Sequence, residues 1–215
     1  QAQAVKHGVA AAGGTPREFT TITVTDGIAM GHQGMKSSLV SRDVIADSVE
    51  LTMRGHSYDA LVGIAGCDKS LPGMMMSMVR LNVPSVFLYG GSILPGRFRG
   101  KDVTVMDVYE FYGKFSSGAA TEAELDEIEA VACPSGGSCG GQFTANTMAT
   151  VFEAVGISPM GSGTVPATDA AKEEVAHGCG RLVVDLVERD VTARQILTRE
   201  ALENGVAVAV ATGGS

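Results

Sequence analysis

The sequence predicts an α/β protein, a three-layer sandwich with a largely parallel sheet followed by a mainly helical C-terminal part. Two continuous apolar runs, residues 58–66 and 83–88, are of the kind found in strands that are buried on both faces. Segments with apolar residues at helical spacing lie next to both runs, and this alternation of strand and helix is typical of a parallel sheet. From Thr104 onward the pattern becomes mainly helical. No linker rich in proline or serine interrupts the chain, so we expect a single domain.

The first half of the chain is predicted to alternate between strands and helices. Residues 1–12 have the pattern of a helix, and residues 19–24 alternate β-forming side chains, which predicts a strand that ends just before Asp26. Ser41 is a plausible N-cap for a helix that ends at Gly55. That helix would carry its apolar side chains at helical spacing, at Val44, Ile45, Val49 and Met53.

Further helices are indicated by caps and by apolar spacing. A short helix over 71–80 would hold Pro72 in its first turn, where a proline is tolerated. Thr121, with Glu124 three residues later, forms the pattern of a capping box for a helix that runs toward Val131. Three more helices are expected over residues 143–155, from Thr168 or Asp169 to about residue 188, and after Thr198.

The composition excludes several functional classes. The 215 residues are 45% hydrophobic and 19% charged, and 16 basic against 24 acidic side chains give a net charge of -8. A nucleic-acid surface would need a basic patch, and a membrane span would need about 20 consecutive apolar residues. The four cysteines are too sparse for a secreted disulfide scaffold, so we expect a reducing compartment and cysteines that are free or metal-bound.

Candidate ligands stand where the predicted strands end. Cys67-Asp68-Lys69 directly follows the first apolar run, and Asp26 follows the predicted strand 19–24. In parallel sheets, ligands gather beyond the carboxyl ends of the strands. A thiolate suits iron or zinc and a carboxylate suits magnesium. Taken by themselves, these residues are better explained as a buried cysteine beside a surface ion pair and as an ordinary Asp-Gly turn.

A second cysteine lies in a glycine-rich segment before a helix. Exposed amide groups and the positive end of that helix would lower the pKa of the Cys139 thiol. Cys133, six residues earlier, could be a second ligand or a redox partner, although the spacing is not C-x-x-C. Cys179 lies within a predicted helix, and we expect it to be a packed core thiol.

Three long segments together carry a family resemblance. Residues 23–35 (TVTDGIAMGHQGM), 63–74 (GIAGCDKSLPGM) and 137–148 (GSCGGQFTANTM) resemble the dihydroxy-acid dehydratase family, in the same order. This family is a branch of the superfamily that includes 6-phosphogluconate dehydratase and several sugar-acid dehydratases. The resemblance implies that residues 1–215 are most of the N-terminal cluster- and metal-binding domain of a longer dehydratase, with a C-terminal domain beyond residue 215.

The resemblance also implies roles for single residues. Cys67 and Cys139 match iron–sulfur cluster ligands, while Asp26, Asp68 and Lys69 match magnesium ligands, the lysine as a carbamate. A [2Fe–2S] cluster is expected in preference to a [4Fe–4S] cluster, although the cysteine count fits both. Cys133 matches no cluster position.

The implied reaction is the dehydration of 2,3-dihydroxy acids to 2-keto acids in valine and isoleucine biosynthesis. The family's third cluster cysteine would lie before Gln1 and its base serine after Ser215, so no catalytic base is expected among these residues and the chain alone should be inactive. The resemblance implies a homodimer. We expect the protein in the cytoplasm, or in plastids or mitochondria of a eukaryote, and its charge and hydropathy lead us to expect that it binds neither nucleic acid nor membrane.

Three alternatives remain open from the sequence. A sugar-acid dehydratase of the same superfamily would share the motifs. A phosphate- or nucleotide-binding module could use the glycine-rich strand ends, although no G-x-x-x-x-G-K-[ST] motif occurs and no G-x-G-x-x-G follows a predicted strand. A thiol redox protein would use Cys133 and Cys139, which lack the C-x-x-C spacing of such proteins.

Overall fold

The computed structural model describes residues 1–215, which form ten α-helices, two short 3-10 turns and four strands. The helices are α1 (Ala2–Ala11), α2 (Asp26–Ala29), α3 (Ser38–Gly55), α4 (Ser70–Leu81), α5 (Val105–Ser116), α6 (Glu122–Ala132), α7 (Thr144–Ala154), α8 (Ala171–Glu188), α9 (Ala193–Ile196) and α10 (Arg199–Ala211). The strands are β1 (Leu61–Ala65), β2 (Ser85–Tyr89), β3 (Gly96–Phe98) and β4 (Lys101–Val103), and the 3-10 turns are Gln33–Ser37 and Ser162–Thr164. No helix is both long and apolar enough to span a membrane.

A two-stranded parallel sheet stands between two helical layers. β1 and β2 pair in parallel, with Leu61 opposite Ser85, and α4 connects them. Successive side chains of a strand point to opposite faces. Phe87 belongs to a cluster of 15 buried residues that includes residues of α3, α4 and α7, whereas Val86 and Leu88 belong to a cluster of 7 with residues of α1 and α8. The predicted α/β class and the two buried strands are therefore confirmed.

The short β3–β4 hairpin ends at Val103, and the chain that follows is mainly helical, as predicted. Thr121 accepts a hydrogen bond from the amide of Glu124, whose carboxylate accepts one from the amide of Thr121, so the predicted capping box is confirmed. At the start of α10 the hydroxyl of Thr198 accepts the amide of Ala201, without a reciprocal side-chain bond. The carboxylate of Asp169 accepts a hydrogen bond from Ala171 at the start of α8.

The predicted strand over residues 19–24 is wrong. This stretch is extended but belongs to no sheet, and residues 15–24 make no backbone-to-backbone hydrogen bond. A cavity of about 510 Å³, lined mainly by apolar residues, has walls formed by this segment and by β1. A strand needs a neighbour for its amide and carbonyl groups, and β-forming side chains cannot supply one.

The predicted start of α3 also shifts. The helix begins at Ser38, three residues before Ser41, because the 3-10 turn Gln33–Ser37 continues directly into it. Ser41 therefore lies inside the helix, where its hydroxyl donates to the carbonyl of Ser38 at 2.5 Å. Ile45 of the predicted apolar set is buried, whereas Val44 is half exposed.

Candidate functional site

Asp26 is the first residue of α2, and its carboxylate is buried. The hydroxyl of Ser38, the first residue of α3, donates a hydrogen bond to Oδ1 of Asp26. Burial by itself would raise the pKa of Asp26. The hydrogen bonds from Ser38, Asp68 and Lys69, together with the positive charge of Lys69, outweigh burial and lower the pKa below its usual value. The carboxylate is therefore held in its charged form.

Cys67-Asp68-Lys69 forms the turn between β1 and α4. The carbonyl of Cys67 accepts the amide of Ser70 at 3.0 Å, and this bond begins the turn into the helix. Lys69 Nζ lies 3.2 Å from Asp26 Oδ2 and 4.0 Å from Asp68 Oδ2. Burial raises the pKa of Asp68, and the neighbouring charge of Asp26 raises it further. The structure thus brings together the three residues that the sequence suggested as magnesium ligands.

The Cys139 loop is fastened to the end of the sheet through Ser138. The amide of Ser138 donates to the carbonyl of Gly91 at 2.9 Å, and its carbonyl accepts the amide of Ile93 at 2.7 Å. Its hydroxyl donates to the carbonyl of Gly66, the residue that follows β1. These three bonds place Cys139 at the carboxyl ends of β1 and β2, next to the turn that carries Cys67.

The electrostatics of Cys139 confirm that neighbourhood and correct one expectation. Its pKa is raised, first by burial and then by electrostatic repulsion from the neighbouring acidic groups of Asp68 and Cys67. The sequence had predicted a lowered pKa from the helix that follows. That helix begins only at Thr144, and the dipole effect is confined to the first turn. Burial and like charge therefore dominate at the thiol.

Two residues of the site were missed by the sequence analysis. The hydroxyl of Tyr89, the last residue of β2, donates to Oδ1 of Asn146 at 2.6 Å. Asn146 Nδ2 donates to the carbonyl oxygens of Cys139 at 2.7 Å and Gly141 at 2.5 Å. Burial raises the pKa of Tyr89 to about 12, so its hydroxyl remains a donor. The available signals were the position of Tyr89 at the end of an apolar strand, just before two glycines, and the position of Asn146 within the segment 137–148.

The other two cysteines differ from Cys67 and Cys139, and from each other, in their exposure. Cys133 is exposed at the end of α6, and Cys179 is completely buried in α8. Burial raises the pKa of Cys179 to about 11, as expected for a thiol among apolar side chains. The prediction of a packed core thiol at Cys179 is confirmed.

The side chains at this end of the sheet include suitable ligands for a hard cation and for iron, but the positive charge of Lys69 opposes binding of a cation. The carboxylates of Asp26 and Asp68 are oxygen ligands of the kind that magnesium prefers, and the thiols of Cys67 and Cys139 suit iron. No three His, Cys, Asp or Glu side chains converge on one metal position. The ammonium of Lys69 supplies the positive charge beside Asp26 and Asp68. A divalent cation would fit there once that lysine is no longer positively charged.

Comparison with known proteins gives a consistent result. The family model "Dihydroxy-acid/6-phosphogluconate dehydratase N-terminal" matches residues 1–215. A protein of Parvibaculum lavamentivorans named dihydroxy-acid dehydratase is 68% identical over 215 residues, which is all of this chain and 37% of the relative. Proteins of the same name from Dinoroseobacter shibae and Roseiflexus sp. are 65% and 54% identical over 100% and 98% of the chain, and over 37% and 38% of their own length. The chain thus spans little more than a third of these relatives, and it belongs to the dihydroxy-acid/6-phosphogluconate dehydratase N-terminal family.

Proposed function

We propose that the protein containing this chain is a hydro-lyase that converts 2,3-dihydroxy acids to 2-keto acids, and that this chain supplies the metal-binding wall of its active site. The observation that carries the proposal is that two carboxylates and a lysine lie together at the end of the sheet that carries Cys67, where Ser138 also fastens the loop of Cys139. The name shared by relatives that are 54–68% identical supports the same reaction.

The carboxylates of Asp26 and Asp68 would bind Mg²⁺, since hard cations prefer oxygen ligands. Lys69 would join them as a carbamate, because this modification replaces a positive charge that repels the cation with an anionic oxygen ligand. The hydroxyl of Ser38 keeps the Asp26 carboxylate oriented by donating to Oδ1, which leaves Oδ2 directed toward Lys69.

The thiolates of Cys67 and Cys139 would bind an iron–sulfur cluster, for which we favour the two-iron form. When bound, the cluster and Mg²⁺ would supply Lewis acidity for the departing hydroxyl and for the negative charge that develops on the substrate. Cys67 and Asp68 are consecutive, and neighbouring Cα atoms lie about 3.8 Å apart. The two kinds of ligand are therefore within reach of one small dihydroxy acid. We assign no proton-abstracting base to these residues.

The resemblance extends the proposal to the biological setting. A 2,3-dihydroxy acid substrate places the reaction in valine and isoleucine biosynthesis, and the whole protein would act as a homodimer. The net charge of the chain is -8, which does not attract an anionic substrate. The bound metal would therefore recruit the substrate locally.

The test uses the full-length protein, purified without oxygen. The visible absorption and iron content would be measured, and 2-keto acid formation from 2,3-dihydroxyisovalerate would be compared with that from 6-phosphogluconate. We expect turnover of the first substrate, loss of absorption and activity in Cys67→Ser, and loss of activity with retained absorption in Asp68→Asn. Cys133→Ser is the matched control and should behave as the parent does.

The sugar-acid dehydratase and the phosphate-binding module each have an outcome of their own. Turnover of 6-phosphogluconate alone would assign the protein to the sugar-acid branch. Full activity in Cys67→Ser would refute the assigned cluster ligand. A thermal shift with ATP in protein that lacks iron would instead favour the phosphate-binding module.

A further inference from the structure

Every donor and acceptor group of the Asn146 side-chain amide has a hydrogen-bond partner, and these partners fix the orientation of the amide. Its oxygen accepts the Tyr89 hydroxyl at 2.6 Å, and its nitrogen donates to two carbonyl oxygens, those of Cys139 at 2.7 Å and Gly141 at 2.5 Å. An amide nitrogen has two N–H donors, and both are used here. The two carbonyl oxygens determine which way the amide faces, because they can only accept and a reversed amide would place its oxygen against both of them. The Tyr89 hydroxyl, which can donate or accept, then donates to Oδ1.

Tyr89 is itself held firmly in the fold. It is the last residue of β2, its exposure is 1%, and Lys172 Nζ lies 5.8 Å from the centre of its ring. Lys172 is also buried, and it donates to the carbonyl of Ser162 at 2.9 Å. The hydroxyl of Tyr89 thus projects from a rigid strand, whereas the Cys139–Gly141 loop has no regular secondary structure.

We propose that Tyr89 and Asn146 are positioning residues that clamp the backbone at Cys139 and on its C-terminal side, at Gly141, and so present the Cys139 thiol beside Cys67. Ser138 fixes the loop on its N-terminal side through the backbone, and Asn146 fixes it on its C-terminal side through a side chain. The clamp itself is a property of these contacts. Only the identity of the group to which the thiol is presented rests on the proposed function.

A packing role and a hydrogen-bonding role predict different results for matched variants. Asn146→Leu preserves the shape of the side chain but removes every hydrogen bond, and Tyr89→Phe preserves the ring but removes the hydroxyl. Tyr58→Phe removes a tyrosine hydroxyl beside the cavity between β1 and residues 15–23, away from the Cys139 loop. Asn204→Leu makes the same replacement as Asn146→Leu at an exposed position on α10.

The first measurement is the rate at which iodoacetamide alkylates each cysteine in the full-length protein after the metals have been removed. Cys133, which is exposed, serves as the internal reference. We expect the rate at Cys139 to rise about tenfold in Asn146→Leu, because losing about 1.4 kcal/mol of hydrogen bonding makes local opening ten times more frequent. In Tyr89→Phe the rise should be smaller, and the rate at Cys133 and both control variants should remain unchanged.

The second measurement is the visible absorption per protein and the reduction potential of the iron-loaded full-length protein. The two clamp variants should lose absorption or shift in potential, and the two controls should not. Alkylation rates at Cys139 within about twofold of the parent in both clamp variants would overturn the proposal. If the parent holds no iron, the proposed function fails, but the alkylation rates still decide whether the clamp exists.

Discussion

Gly137 is the position where a single methyl group should detach the Cys139 loop from the sheet. Its φ is +140°, a conformation that L residues rarely adopt. A Cβ at this position would lie 2.5 Å from the nitrogen of Ile93 and 2.6 Å from the carbonyl carbon of Ser92. Both are backbone atoms, so a side-chain rotation cannot relieve the contact. In Gly137→Ala, we expect the loop to move away from residues 92–93.

The cost follows from the bonds that this movement breaks. The bonds from the amide of Ser138 to the Gly91 carbonyl and from the amide of Ile93 to the Ser138 carbonyl are 2.9 and 2.7 Å long. Each contributes about 1 kcal/mol. Backbone strain at a positive φ adds about 1–2 kcal/mol. The free energy of unfolding of Gly137→Ala should therefore fall by about 3–4 kcal/mol.

Urea unfolding of the parent and two variants measures this loss. Gly100→Ala is the control, because Gly100 also has a positive φ, +84°, but a Cβ there meets nothing within 4 Å. It should lose only the strain, about 1–2 kcal/mol. The alkylation rate at Cys139 should rise in Gly137→Ala and remain at the parent value in Gly100→Ala. Equal losses of stability in the two variants would refute the close approach as the reason for Gly137.

Three further predictions concern stability. Cys179→Ala should be less stable than the parent by about 1 kcal/mol at pH 8. From pH 9 upward this gap should close and then reverse, because the unfolded thiol ionises near 9.0 and the folded one near 11, so that the parent loses roughly 2–3 kcal/mol by the time the pH passes 11. Urea midpoints that run parallel between pH 8 and 10.5 would contradict this. Burial lowers the pKa of Lys172 in the folded protein, so protonation of this lysine favours the unfolded chain. The stability of the parent relative to Lys172→Met should therefore rise as pH increases toward 10.5. A pH-independent difference in unfolding free energy would argue against it. Thr121→Ala should cost about 1 kcal/mol, because it removes the acceptor for the amide of Glu124; an unchanged Tm would show that the capping box contributes nothing.

The parts of the fold that the sequence predicted are those that depend on local patterns. The apolar runs became β1 and β2 because a strand covered on both faces needs apolar side chains at every position. Thr121 with Glu124 predicted the start of α6 because a capping box involves four consecutive residues. The strand predicted over residues 19–24 was wrong because alternating β-forming side chains do not reveal whether a neighbouring strand is present to pair with.

The sequence by itself determined the α/β class, the buried strands, the cysteines and carboxylates that follow them, and the family to which the chain belongs, since each of these depends on residues that are close along the chain. The tertiary structure decided how those residues meet. Asp26 reaches Lys69 at 3.2 Å, the pKa of Cys139 rises instead of falling, and Asn146 turns its amide toward the Cys139 loop. Burial, electrostatic coupling and hydrogen-bond direction depend on distances between segments that are far apart in sequence, and only the packing of β1, β2 and α7 sets those distances.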